Sequence, residues 1–293
     1  MPKKIIILSD DIPGHFNQSK GIATLLSNQI NVSISMETMV YKFTFLRSSI
    51  TFLARILCRL MGEFSAKIIR NFYQNIDMNG VDLIIAAGGN TAPLSAALKK
   101  TFSVPVIQLG SPRGMPLRLF DALVTVEKYF DHPGNIVVDI TPNIYSPSVC
   151  LKAAKSQDMH DHLLFLIGGK GMGYSYEQEE WTALVKNIIY LQKDTQLPVT
   201  IVTSRRTDPI VEKKLQYELS SISTTYSAWY HKGDKNYNLA ALFGSAKNIF
   251  VTEDSAMMIS ESISSGKPVT TLYPSYIKSP LRYENHISKY ADL

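Results

Sequence analysis

LLFLIGGKGMGYSYEQEEWTALVKNIIYLQ, residues 163–192, decides the fold. It opens on LLFLIGG (163–169), a continuous apolar run of the kind that forms a strand buried on both faces. A glycine-rich loop follows. EQEEWTALVKNIIYLQ (177–192) then places Trp181, Leu184, Val185, Ile188 and Ile189 at the 3, 4, 7, 8 spacing of one buried helix face. Strand, glycine loop and helix make one α/β unit. Downstream the rhythm continues through strands VTIVTS (199–204), TYSAWY (225–230), NIFVT (248–252) and PVTTLY (268–273), with a helix at DPIVEKKLQYELSSI (208–222). Upstream, KIIILS (4–9), VSISM (32–36), DLIIAAG (82–88), VPVIQLG (104–110), DALVTV (121–126) and NIVVD (135–139) read the same way. Apolar strands separated by helices predict parallel sheets covered on both faces.

Between the two series lies LKAAKSQDMHDH (151–162), polar and without a strand signal, which reads as a linker. The expected organisation is an N-terminal α/β domain over 1–150, the linker, a C-terminal α/β domain over 163–275, and a tail over 276–293 that returns to the N-terminal domain. Two α/β halves of similar length joined by one linker predict nucleotide-binding-type domains facing a cleft.

Composition agrees with a globular chain. Of 293 residues, 45% are hydrophobic and 19% charged, which excludes a disordered or collagen-like protein. Cys58 and Cys150 are too few for a disulfide framework and point to a reducing, cytoplasmic setting. MPKKIIILSDD turns acidic too soon for a signal peptide, and no uncharged stretch is long enough to span a bilayer. The formal net charge of +5 suits an anionic substrate or surface.

That charge is unevenly spread. In residues 40–73, Lys42, Arg47, Arg55, Arg59, Lys67 and Arg70 face a single acid, Glu63, and are interleaved with Phe43, Phe45, Leu46, Ile50, Phe52, Leu53, Ile56, Leu57, Leu60 and Met61. A helix this apolar with a cationic polar face suits the anionic inner surface of a membrane. It also reads as an ordinary packed helix with solvated arginines. Nucleic acid is excluded as a partner, because the cations lie among apolar residues rather than on a polar, aromatic-studded face.

In doubly wound sheets, ligands bind beyond the carboxyl ends of the strands. After the first strand come Asp10, Asp11, Gly14, His15 and Asn17. Asp10 and His15 form the candidate acid/base group, with Gly14 permitting a tight turn; Asp10 or Asp11 also reads as a simple turn cap, with His15 merely exposed. After the third strand, Gly88 and Gly89 would let the backbone approach a ligand or pack a helix close to the sheet. Asp11, Gly14, Asn17, Gly88 and Gly89 are thus candidate ligand-contacting residues of the N-terminal half. Glu127 and Asp131-His132 follow the fifth strand, as site residues or loop caps.

In the second half, Gly168-Gly169-Lys170-Gly171-Met172-Gly173 offers backbone N–H groups and a cation to an anion. It is neither a P-loop nor a dinucleotide fingerprint. Ser204-Arg205-Arg206-Thr207 places two guanidiniums at a strand end, where each can offer paired donors to a diphosphate. In Thr252-Glu253-Asp254-Ser255, Ser255 opens a helix whose N-terminus suits phosphate. Glu261, six residues on and roughly 9 Å along that helix, is placed for ribose hydroxyls.

These motifs carry a resemblance. SDDIPGHFNQSKGIATLL (9–26), AAGGNTAPLSAAL (86–98), Pro112-Arg113, FDALVTVEKYFDHPGNIV (120–137), SRRT (204–207) and VTEDSAMMISESISSGKPV (251–269) together resemble the bacterial relatives of the plant mitochondrial-fission family named for elongated mitochondria. The chain departs from that pattern at Asp208, which precedes Pro209; at Gly233-Asp234-Lys235-Asn236-Tyr237, which lacks a proline; and at Asp10-Asp11, where the family often has Asp-Gly. That family looks like GT-B glycosyltransferases, two Rossmann-like domains with the nucleotide-sugar donor on the C-terminal one. The resemblance implies donor roles for Ser204, Arg205, Arg206, Ser255 and Glu261, beside which Gly168, Gly169 and Asp254 complete the candidate nucleotide-sugar site.

The function expected is therefore metal-independent glycosyl transfer from a nucleoside-diphosphate sugar to a glycolipid or lipopolysaccharide-type acceptor, with His15 or Asp10 as base and no bound cofactor. The scattered acids show no metal-ligand spacing. The alternative is a non-catalytic nucleotide-binding scaffold that recruits partners at a membrane. A sugar-nucleotide epimerase is rejected for want of a dinucleotide fingerprint after the first strand.

Overall fold

The computed structural model describes residues 1–234 and 236–292; Lys235, within the 233–237 piece, and Leu293, at the end of the tail, lie outside the described residues. The chain divides into two compact units, Met1–Ile144 and Tyr145–Leu293.

The first unit runs β1 (Lys3–Ser9), α1 (Pro13–Ser27), β2 (Val32–Thr38), α2 (Arg47–Arg59), α3 (Glu63–Asn71), β3 (Leu83–Ala87), α4 (Ala92–Phe102), β4 (Val106–Leu109), β5 (Ala122–Thr125) and β6 (Asn135–Val137). The sheet order is β2-β1-β3-β4-β5-β6, and every pairing is parallel. The unbroken apolar run of β1 follows from burial on both sides. Ile5 and Ile7 pack with Ala23, Phe16 and Ile22 of α1. Ile6 and Leu8 point the other way, into a core with Ile50, Ala54 and Cys58 of α2, Ile69 of α3, and Leu94 and Leu98 of α4. Each isoleucine or leucine among them, fully buried, contributes about 1.5–3 kcal/mol.

The 40–73 segment is two helices rather than one. Leu60 leaves helical geometry (φ −105°, ψ 35°), and Gly62, in extended conformation, starts α3.

The second unit runs α5 (Pro147–Ser156), β7 (His162–Ile167), α6 (Gln178–Thr195), β8 (Val199–Thr203), α7 (Pro209–Glu218), β9 (Thr224–Ala228), α8 (Leu239–Ser245), β10 (Ala246–Thr252), α9 (Ala256–Ser264), β11 (Val269–Leu272) and α10 (Leu281–Lys289). Its five strands, in the order β11-β10-β7-β8-β9, are again all parallel. Trp181, Val185 and Ile188 of α6 are buried on Leu163, Phe165 and Ile167, with Leu184 and Ile189 at the margin, as the spacing predicted.

The expected linker 151–162 is not a linker. Most of it belongs to α5, which begins at Pro147 with the Ser146 hydroxyl accepting from Val149 N, and His162 already opens β7. Cys150 and Ala154 are buried, and a Cβ at Gly244 of α8 would overlap the Cys150 carbonyl. A short stripe of small side chains on an otherwise polar helix escapes a reading that looks for strands. The tail 276–292 is fastened to its own unit. The Tyr290 hydroxyl meets Ser260 Oγ of α9 at 2.5 Å, and the Tyr283 hydroxyl donates to the Glu253 carbonyl at 2.8 Å.

These topologies locate the candidate sites. In the first sheet the chain reverses direction between β1 and β3, and in the second between β7 and β10. A crevice opens at the carboxyl ends of strands where the order reverses, and ligands of open α/β sheets bind there.

Candidate functional site

In the first unit the switch point brings the loop after β1 against the loop after β3. Asp11 adopts φ 61°, and this left-handed residue makes the turn. The expectation for Gly14 is corrected: it sits in the first turn of α1 without a positive φ. Asp11 is exposed and accepts from Thr38 Oγ1 at 3.4 Å, while the carboxylate that meets a backbone N–H of the turn is Asp10, through Ile12 N. Asn17 lies half-buried on α1.

The Asp10 carboxylate is fully buried, while the His15 side chain keeps 28% exposure. Asp10 Oδ1 lies 3.0 Å from His15 Nδ1, Asn90 Nδ2 donates to Oδ2 at 3.0 Å, and Ile12 N approaches Oδ1 at 3.4 Å. Burial pushes the Asp10 carboxyl up, but the hydrogen bonds and charge of His15 and the Asn90 amide outweigh it and hold it below its usual range. An ionised carboxylate is acceptor-only, so His15 Nδ1 donates to it and Nε2 is left as the basic nitrogen. Gly88, at φ +84°, lies against the imidazole, and a Cβ there would overlap the ring. A Cβ at Gly89 would come within 2.5 Å of Arg113 Cγ. Arg55 Nη2 of α2 donates to the Gly89 carbonyl at 3.0 Å. Glu127 and Asp131-His132 shape their own loop: Thr125 donates to the Glu127 carbonyl, Lys128 pairs with Asp131, and Gly134 N donates to His132 Nδ1.

The same unit carries an apolar, cationic surface. While Ile50, Ala54 and Cys58 of α2 face the core, Phe45, Phe52, Leu60 and Phe64 are 82%, 67%, 76% and 78% exposed. Arg47, Arg59 and Lys67 are exposed around them. Side chains that size in water on two consecutive helices mark an interaction surface. Among the described residues no helix is long and apolar enough to cross a membrane.

In the second unit the loops after β7, β8 and β10 converge. Gly168 N donates to Thr252 Oγ1 at 2.6 Å, and Gly169 N donates to the buried Asp254 Oδ1 at 3.0 Å. A Cβ at Gly168 would overlap that carboxylate. Arg206 Nη1 pairs with Asp254 Oδ2 at 3.2 Å and donates to the Asp254 carbonyl. Thr207 Oγ1 donates to the Ile167 carbonyl at 2.8 Å, and Arg206 N donates to Ser204 Oγ at 3.2 Å. The structure thus brings together Gly168, Gly169, Ser204, Arg206 and Asp254. Arg206 is spent on Asp254, whereas Arg205 is exposed. Arg205, Lys170, Arg206 and His231 line an open depression of about 670 Å³ whose one carboxylate, Asp208, accepts from Ile210 N as the cap of α7. This is a largely cationic depression with room for far more than a single phosphate group. Ser255 caps α9, accepting from Met258 N. Glu261 is buried further along α9, where its charge and, more strongly, burial push the Tyr145 and Tyr237 hydroxyls up.

Several participants escaped the sequence reading. Asn90 lies inside a quoted motif, yet only the fold sets it beside Asp10. Gln108 is buried and donates to the Gly88 carbonyl at 3.0 Å, fixing the glycine loop. Tyr174 donates to Glu253 Oε2 and Tyr283 to the Glu253 carbonyl, so the tail helps hold the loop before α9. No local signal marks contacts made across so many residues. Among the described residues no group of three or more His, Cys, Asp or Glu could hold a metal ion.

A family model for mitochondrial fission ELM1 matches residues 13–286. An uncharacterized protein of Rickettsia prowazekii (strain Madrid E) is 25% identical over 318 residues, spanning 94% of this chain and 84% of that protein. MurG of Acinetobacter baumannii superposes with a TM-score of 0.51 at 15% identity, over 99% of this chain and 83% of its own. The UDP-GlcNAc 2-epimerase of Methanocaldococcus jannaschii gives 0.54 at 12% identity, over 100% and 92%. Identities this low establish the fold alone, which is GT-B-like and shared by glycosyltransferases and UDP-GlcNAc 2-epimerases. Rejecting an epimerase for want of a dinucleotide fingerprint therefore does not reach epimerases built on this fold. By the match across residues 13–286, the chain belongs to the mitochondrial fission ELM1 family.

Proposed function

We propose that this protein is a metal-independent glycosyltransferase that moves a sugar from a nucleoside-diphosphate donor to a membrane-associated glycolipid acceptor. The observation that carries the reading is the partly exposed His15 imidazole whose Nδ1 is held by the fully buried Asp10 carboxylate. A scaffold has no use for an imidazole held in one tautomer by a buried carboxylate, with Nε2 left as the proton acceptor. His15 Nε2 takes the acceptor hydroxyl proton as the oxygen bonds to the anomeric carbon, and the bond from that carbon to the diphosphate oxygen breaks. Asp10 and Asn90 are positioning residues: they hold the tautomer and stabilise the imidazolium that forms.

The donor diphosphate gains charge as it leaves. The cradle of Lys170 and Arg205 beside Arg206 suits that charge, and Glu261 and the α9 start at Ser255 suit the nucleoside and phosphates. The exposed apolar faces of α2 and α3, ringed by arginine and lysine, suit an anionic bilayer surface. This surface favours transfer over epimerisation, since a reaction confined to the nucleotide sugar needs no membrane-borne partner.

The test incubates the protein with UDP-, ADP-, GDP- and CDP-sugars, with and without a bacterial lipid extract and with a chelator throughout. Lipid-dependent release of the nucleoside diphosphate that is lost in His15→Ala is the expected result. Epimerised sugar nucleotide formed without lipid would overturn transfer. Donor binding with no turnover under any condition, unchanged by His15→Ala, would return the protein to the scaffold class.

A further inference from the structure

A second depression in the N-terminal unit lies between the loops after β4 and β5 and the end of α2. It is open, about 490 Å³ in volume, and its walls include Arg59, Met115, Pro116, Arg118, Tyr129 and Phe130. Arg118 Nη2 donates to the Arg59 main-chain carbonyl at 2.9 Å, which fixes the Arg118 side chain beside the end of α2, and both arginines line the depression. None of the residues lining the depression is a carboxylate. The lining therefore offers guanidinium N–H groups to phosphate oxygens, from Arg59 and from the part of Arg118 not held by that carbonyl, together with aromatic and aliphatic surface.

The place of this depression says what fills it. On one side it continues into the exposed apolar face of α2, since Leu60, 76% exposed, directly follows Arg59. On the other, the loop after β4 that lines it also reaches the residues around His15. Gly114 places Arg59 Nη2 3.8 Å from where its Cβ would be, and the neighbouring Arg113 side chain lies against Gly89, whose partner Gly88 abuts the His15 ring. A proton-accepting nitrogen, an arginine-lined depression with apolar walls, and an apolar helix face all lie among the segments that follow the carboxyl ends of the strands.

We propose that the acceptor is a glycan joined to its lipid through a phosphate or diphosphate, with the phosphate at Arg59 and Arg118, the first lipid methylenes against Met115, Tyr129 and Phe130, and the glycan hydroxyl toward His15. This rests on the glycosyltransferase reading for its direction of transfer, though not for the existence of the lipid-phosphate site. An acidic peptide would use the arginines and leave the apolar walls and the α2 face unused; a bulk phospholipid would use both without needing proximity to His15.

The experiment is calorimetry on the full chain with decyl phosphate, decyl glucoside, inorganic phosphate and dihexanoyl-phosphatidylglycerol, each below its micelle concentration. Decyl phosphate should bind at least about tenfold more tightly than the other three, and Arg59→Gln and Arg118→Gln should each weaken it about tenfold or more, as a lost hydrogen bond to a charged group does. Both side chains are exposed, and Arg118→Lys, which keeps a cation, should recover part of the loss and guards against misreading a folding defect. Equal binding by wild type and both glutamine variants overturns the site. Binding of inorganic phosphate as tight as that of decyl phosphate removes the lipid, and equal binding of the phosphatidylglycerol removes the acceptor. Titration with UDP, ADP, GDP and CDP on the same preparations separates the readings: no nucleotide binding by wild type defeats the donor assignment alone, and no selectivity for decyl phosphate defeats this one alone.

Discussion

Replacing Asp10 by Asn tests the acid/base array without any substrate. The carboxylate is fully buried and takes hydrogen bonds from His15 Nδ1 at 3.0 Å, Asn90 Nδ2 at 3.0 Å and, more weakly, Ile12 N at 3.4 Å. An asparagine fits the space, but its NH2 must face either His15 or the Asn90 NH2. Facing His15, it donates to Nδ1, and the ring proton moves to Nε2, the nitrogen needed as base. Facing Asn90, it opposes a donor with a donor. A hydrogen bond to a charged group contributes about 1.5–3 kcal/mol, so one such loss, at about 2–4 °C per kcal/mol for a unit of this size, should lower the unfolding midpoint of the first unit by roughly 3–12 °C. The pH dependence has a definite sign. Asp10's carboxyl lies below its ordinary value of 3.8 in the folded state, so its stabilisation is complete above that value and is lost as pH falls through the lower folded value. The variant lacks this acid-side loss. Nitrogen-15 spectra of the imidazoles, with His15→Ala for assignment, report the tautomer directly. Wild-type His15 should carry its proton on Nδ1 and the variant on Nε2, and turnover, once measurable, should fall about 10²–10⁴-fold. A wild-type His15 protonated on Nε2, or a variant with unchanged tautomer and midpoint, would refute the reasoning.

The two arginines of the second unit should behave differently. Arg205→Ala should weaken nucleoside-diphosphate binding by about 1.5–3 kcal/mol with an unchanged melting curve. Arg206→Ala strands the buried Asp254 and should destabilise by about 3–5 kcal/mol as well; calorimetry and thermal unfolding of both variants, if indistinguishable, contradict the pairing seen here. Gly88→Ala puts a methyl group into the His15 ring at a positive φ and should abolish transfer while leaving nucleotide binding intact, which paired binding and turnover measurements check. Phe52→Ser with Phe64→Ser should strip the protein from anionic vesicles at all salt concentrations, whereas high salt alone should only weaken wild-type binding, because screening shortens from roughly 10 Å at 0.1 M to 3 Å at 1 M and leaves apolar burial untouched. Flotation of the double variant equal to wild type would make these helices a packed face only. Arg55 is unsuitable for such a test, since its guanidinium holds the Gly89 carbonyl.

What the sequence determined by itself was the architecture. Strands such as Ile5–Leu8 and Leu163–Ile167 are apolar at every position because both faces of each sheet are covered, and that pattern is local and strong. The 3, 4, 7, 8 spacing of α6 is equally local. From strand ends alone the loops at 10–15, 88–89, 168–169, 204–206 and 254–255 could be singled out, because ligand sites in parallel α/β sheets gather there. The helix inside the expected linker was not legible, since its buried stripe is only Cys150 and Ala154 and its worth depends on Gly244 lying opposite.

Tertiary structure alone decided the roles within those loops. Nothing in SRRT says that Arg206 turns inward to Asp254, 48 residues away, while Arg205 stays in solvent. Nothing in AAGGNTAP says that Asn90 reaches Asp10, 80 residues back. Nor could the pattern of 40–73 choose between packing and display. The helices do both, burying Ile50, Ala54 and Ile69 while exposing Phe52 and Phe64, because apolar residues on two faces of one helix satisfy the periodicity of either. A side chain's chemistry is written in the sequence; whether its charge is spent on a neighbour or left for a ligand depends on which distant loop the strand order carries beside it.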